Sequence, residues 1–159
     1  MKRSLIAAVI LTFYGLIALG QTASAPASIN ALRNAQKQVR WDDKSAVVAD
    51  VTCDGLPDTL VVGYQPDKVW LGVVHGAKRN VTPTTETLSF SLGKSETSFC
   101  TSPVHIETAP IDCRSDEDDP LPGCKPVKGC REFSMVDGTC DSFHFYWDST
   151  HKHLVWWRR

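Results

Sequence analysis

Between Asp50 and Asp58 the chain reads Asp-Val-Thr-Cys-Asp-Gly-Leu-Pro-Asp, with side-chain oxygens at positions 1, 3, 5 and 9 of the segment. Oxygen donors at alternate positions of one curled loop suit a hard cation such as Ca²⁺. Gly55 stands at position 6, where such a loop turns sharply, and the Leu56 carbonyl would serve position 7. The candidate ligand set is therefore Asp50, Thr52, Asp54, Leu56 and Asp58. Position 12 is Val61 rather than Glu, so the segment is not an EF-hand. The same spacing also describes a turn in which Asp side chains accept hydrogen bonds from their own backbone.

The segment resembles the calcium loops of FG-GAP and VCBS repeats, whose pattern is Asp-x-Asn/Asp-x-Asp-Gly-x-x-Asp ahead of an apolar strand. Asp50, Asp54, Gly55 and Asp58 match it, and Leu60-Val61-Val62 stands where the strand begins. It is also similar to an Asp-x-Asn-Cys-Asp-Gly segment of small secreted bacterial proteins. The resemblance covers residues 47–62 and implies a calcium-stabilised loop. Thr52 departs from the pattern as a short, neutral ligand, and Cys53 adds a covalent tie. One copy cannot build the multi-blade propeller that such repeats form.

A second constellation is His144, Tyr146 and His153, which share one face of an aromatic C-terminal hairpin. Such a patch suits a metal or a ring-shaped ligand. His144 or His153 beside Asp141 or Asp148 would instead serve a small hydrolase. The sequence holds no Gly-x-Ser-x-Gly elbow, no His-Glu-x-x-His and no phosphate-binding glycine loop. A third reading takes the Cys113–Cys130 segment, with its acidic run Ser115-Asp116-Glu117-Asp118-Asp119, as a loop presented to a protein target by an inhibitor or effector.

The cysteines are Cys53, Cys100, Cys113, Cys124, Cys130 and Cys140. Their number is even and none forms a Cys-x-x-Cys pair, so three structural disulfides are expected rather than redox exchange or a zinc site. Their connectivity stays open. Asp50-Val-Thr-Cys-Asp54 is echoed by Asp137-Gly-Thr-Cys-Asp141, each ahead of an aromatic-containing hairpin.

Disulfides imply export, and the N-terminus agrees. Lys2 and Arg3 precede an uncharged run from Leu5 to Gly20, then small residues through Ala27. This is the layout of a secretory signal peptide over residues 1–25, with Ala25 or Ala27 as the cleavage position. Residues 26–159 are expected to form one secreted or periplasmic β-rich domain, with no membrane span after cleavage. Lysines and arginines number 17 and acids 18, a net charge of −1 with no field to attract nucleic acid.

The remaining pattern predicts the elements that position these residues. Ser28 can cap a helix over 28–39, with Ile29, Leu32, Ala35 and Val39 on its apolar side. A short strand follows at 46–49. Period-two alternation around Gln65-Pro66-Asp67-Lys68 predicts a hairpin pairing Tyr64 with Val69, Val62 with Leu71 and Leu60 with Val73. The opposite face holds Val61, Gly63, Trp70, Gly72 and Val74, with Trp70 expected over Gly63. Further strands are predicted at 87–92 and 104–108, and a hairpin at 143–157. That last hairpin should bury Phe145 and Trp156 and leave Tyr146 and His153 partly accessible. Residues 109–133 show no periodicity and read as a stapled loop. The expectation is a mainly β fold: a small antiparallel sandwich or open barrel with one N-terminal helix, stapled by disulfides. Its expected function is a non-catalytic binding or structural module stabilised by Ca²⁺, with the hydrolase and the inhibitor as alternatives.

Overall fold

In a computed structural model the described residues are 25–115 and 117–158, so the signal-peptide expectation lies outside them except for Ala25. Helix α1 spans Ala25–Ala35 and buries Ile29 and Leu32, one turn apart. It ends earlier than its spacing suggests. The Gln36 N–H still reaches the Leu32 carbonyl, but Val39 closes a turn onto Gln36. Strand β1 (Arg40–Trp41) then pairs with Tyr64 and Gly63. Tertiary pairing thus takes residues 36–39 out of the helix, while Val39 keeps its buried place.

Strands β2 (Val47–Ala49), β3 (Asp58–Gln65), β4 (Lys68–Val74), β5 (Thr85–Leu92) and β6 (Ser98–Phe99) complete the first sheet, ordered β1-β3-β4-β5-β6 with β2 also on β3. Tyr64 lies opposite Val69, Val62 opposite Leu71 and Leu60 opposite Val73, the register that the alternation predicts. Only β6 is parallel to its neighbour. The second sheet is antiparallel throughout, in the order β10-β9-β8-β7, from β7 (His105–Pro110), β8 (Arg131–Val136), β9 (Phe143–Asp148) and β10 (His153–Trp157). Strand β8 lies partly inside the segment expected to be loop. Its alternation of Glu132, Phe133, Ser134 and Met135 is short and follows a Pro- and Cys-rich stretch that masks it.

The two sheets close face to face. Leu60, Val62, Leu71, Val73, Phe90 and Phe99 of the first meet Phe133, Met135, Phe143, Phe145, Trp147 and Leu154 of the second. The Phe133 and Phe145 rings stack 4.7 Å apart. Burying such side chains contributes roughly 1.5–3 kcal/mol each. The other face of β3–β4 is buried too, because α1 lies on it: Ile29, Leu32, Val39, Trp41, Val61 and Val74 form a second cluster. Trp41, not Trp70, covers the glycines there. A Cβ at Gly72 would lie 2.7 Å from the Trp41 ring, and one at Gly63 equally close. Trp70 faces Gly63 across the ladder, but its indole N–H turns to Gln65 Oε1 at 3.1 Å.

All six cysteines are paired. Cys53–Cys130 and Cys100–Cys140 each join a loop of the first sheet to a loop of the second, and Cys113–Cys124 closes a local loop. Their separations of 77, 40 and 11 residues correspond to about 4.5, 4 and 3 kcal/mol in the chain-entropy model. Three disulfides fit an oxidising environment. Among the described residues no helix is long and apolar enough to cross a membrane.

Candidate functional site

In the 50–58 loop every carboxylate accepts a backbone N–H. Asp50 receives Asp54 N–H on Oδ1 at 3.2 Å and Gly55 N–H on Oδ2 at 2.9 Å. Asp54 Oδ1 receives Leu56 N–H at 2.8 Å. Asp58 is wholly buried: Oδ2 takes Val51 and Thr52 N–H, and Oδ1 takes Gly76 N–H at 2.7 Å and lies 3.5 Å from Thr52 Oγ1. Gly55 provides the left-handed backbone (φ 84°) that the tight turn requires. Burial pushes the Asp50 carboxyl above its ordinary value, the Gly55 N–H opposes that, and the Asp58 charge adds to it. Among the described residues no three of His, Cys, Asp or Glu are grouped to hold a metal ion.

The echoed segment works by a related device. Asp137 accepts Thr139 and Cys140 N–H on Oδ1, and Cys100 and Thr101 N–H on Oδ2. Burial raises its carboxyl, but those four N–H groups hold it below the ordinary value. The offsets differ, two and three residues here against four and five in the first loop, so the echo does not extend to identical hydrogen bonds.

The outer face of the second sheet gathers different chemistry. Glu107, Ser134, His144 and Trp157 stand side by side on the four strands. Ser134 Oγ lies 3.0 Å from His144 Nδ1, and the His144 ring stacks on Trp157 at 4.3 Å. Two residues along each strand sit Glu132, Tyr146 and Val155. The 113–124 loop folds over this end. Tyr146 Oη donates to the Pro122 carbonyl at 3.0 Å, and the Ser149 N–H and hydroxyl both donate to the Gly123 carbonyl at 2.9 Å.

Beneath that loop is a small, partly open depression with free space of about 20 Å³, walled by Arg114, Leu121, Glu132, His144, Tyr146 and Trp157. Burial raises the Glu132 carboxyl above its ordinary value, the Asp112 N–H opposes this weakly, and the Asp112 charge adds to it. The Arg114 guanidinium is turned to Asp118 at 2.9 Å.

Two expected placements change. Tyr146 is buried rather than accessible, because the stapled loop covers it, and Trp156 is 37% exposed at the sandwich rim, its ring edge-on to Phe90 and Phe143. His153 is exposed opposite Asp148, at the far end of the hairpin from His144, so the two histidines do not share one site. Asp148 pairs with His151 at 2.6 Å rather than with His144 or His153. That ring and the His151 and Thr150 N–H groups hold the Asp148 carboxyl down to about 2. Glu132, Ser134, Trp157 and Arg114 were not singled out in the sequence; recognising β8 by its alternation would have placed the first two beside His144. No family model, curated protein or solved structure matches the chain.

Proposed function

We propose that this protein is a secreted or periplasmic binding module that seats its ligand in the depression on the outer face of the second sheet, beneath the Cys113–Cys124 loop. One observation carries the reading. Aromatic rings and a half-buried carboxylate meet in one concave place under a covalently closed loop. A closed loop and a regular sheet hold such walls in place before binding, which lowers the entropy lost on association.

We infer that the 50–58 loop is structural and closes without an ion, because backbone N–H groups already engage all three carboxylates. The Ser134–His144 contact favours a second reading, a hydrolase with Ser134 as nucleophile. The rings stacked at His144 and the covering loop support binding first.

The test is a small-fragment screen read by thermal shift and by calorimetry on the oxidised protein. Fragments that bind wild type and lose affinity with Trp157→Ala, whose own melting stays cooperative, support the binding module. Ester hydrolysis abolished by Ser134→Ala would favour the hydrolase.

A further inference from the structure

We propose that the β9–β10 turn holds a divalent transition-metal ion between the rings of His151 and His153. The inference is independent of the ligand reading above. The sequence pattern groups His153 with His144, but the structure sets it beside His151 instead, with ring centroids 5.9 Å apart and planes at 51°.

Asp148 makes this more than a pair of exposed rings. It is 5% exposed, and its Oδ1 accepts the Thr150 and His151 N–H groups at 2.7 and 3.0 Å. Its Oδ2 meets His151 Nδ1 at 2.6 Å. A carboxylate only accepts, so Nδ1 carries the proton and the lone pair lies on Nε2. The His151 side chain is 69% exposed, with Nδ1 turned inward to Asp148 and Nε2 at the opposite edge of the ring. A carboxylate behind an imidazole in this way fixes the tautomer that binds metal and raises its basicity.

The spacing fits one ion. With metal–nitrogen bonds of about 2.0–2.1 Å, two imidazoles on a tetrahedral ion hold their centroids about 5 Å apart. Closing from 5.9 Å asks for a rotation of the exposed His153 side chain. Lys152 brings one positive charge between the two histidines and Asp148 one negative charge behind His151, so the turn carries no net charge against a cation. No third His, Cys, Asp or Glu joins them as a ligand among the described residues, which leaves the other coordination positions to water. Imidazole nitrogens suit Zn²⁺, Cu²⁺ or Ni²⁺ rather than Ca²⁺ or Mg²⁺.

The experiment titrates the oxidised full chain, carrying no added histidine tag, with ZnCl₂ by calorimetry and uses CaCl₂ as the control. ¹⁵N spectra of the histidine rings identify the bound nitrogens. One equivalent of Zn²⁺ should bind and Ca²⁺ should leave both rings unmoved. The His151 Nε2 signal should shift while Nδ1 keeps its proton. His153→Gln, at an exposed position, should weaken Zn²⁺ at least about tenfold. Asp148 is a positioning residue: Asp148→Asn should weaken Zn²⁺ about tenfold and remove the Nδ1-protonated signature of His151. If that variant fails to fold, His153→Gln and the ring spectra decide. Zn²⁺ binding that His153→Gln leaves unaltered, Zn²⁺ shifts confined to His75, His105 or His144, or no saturable Zn²⁺ binding up to millimolar concentration would overturn the inference.

Discussion

The Asp58 carboxylate accepts the Gly76 N–H at 2.7 Å, joining the start of β3 to the loop after β4 across 18 residues. Its other oxygen holds the N–H groups of Val51 and Thr52. Asp58→Ala leaves those three donors without partners. Each orphaned buried N–H costs about 1–3 kcal/mol, so the variant should lose at least about 3 kcal/mol in chemical denaturation. A loss below about 1 kcal/mol would show that water replaces the carboxylate.

The same bonds make a statement about calcium. If the N–H groups satisfy Asp50, Asp54 and Asp58, millimolar Ca²⁺ should leave the melting temperature unchanged, in wild type and in Asp54→Ala alike. A filled site at 100 times its dissociation constant would add about 2.7 kcal/mol. A saturable rise in melting temperature, lost in Asp54→Ala, would restore the calcium-loop reading.

Gly72→Ala tests the helix layer. The added methyl would meet Leu32 Cδ1 at 2.6 Å and Trp41 Cζ3 at 2.7 Å. Overpacking of this kind costs about 1–3 kcal/mol. Gly93→Ala, whose Cβ meets nothing within 4 Å, serves as the control and should stay near wild type.

These contacts mark where the sequence was legible. The register of the β3–β4 hairpin followed from alternation, because a slip of one residue exchanges whole faces of Leu60, Val62, Leu71 and Val73. Trp41 over Gly63 and Gly72 was not legible, since it depends on the two-residue strand β1 pairing with β3 and setting Trp41 opposite Gly63. Tyr146 and Trp156 exchanged exposure for a similar reason: the loop that covers Tyr146 is held by a disulfide whose partners the spacing left open. The 50–58 spacing suits both a cation loop and an aspartate turn, because both place oxygens inward at alternate residues. The calcium titration is what separates the two.

Stability should depend on pH at both ends. His75 sits above its ordinary 6.5, chiefly through the Glu86 carboxylate 3.6 Å from its ring; burial opposes this, and the Asp58 and Asp54 charges support it. Its contribution is therefore complete below 6.5 and fades as pH rises through the raised value. His75→Gln should flatten the alkaline side of the melting profile. Asp148, held down to about 2 from an ordinary 3.8, works in the opposite sense. Its contribution is complete above 3.8 and is lost as pH falls toward 2, so Asp148→Asn should flatten the acid side. Profiles that the two variants leave unaltered would contradict these assignments.

The central claim is where a ligand sits, and a chemical-shift map of the ¹⁵N-labelled, oxidised protein tests it most directly. Titration with a fragment that binds should perturb Arg114, Glu132, His144 and Trp157 together, and leave Asp50 to Asp58 unmoved. Perturbations that gather instead at the 50–58 loop or at the His151–His153 turn, with the outer face of the second sheet silent, would contradict the account.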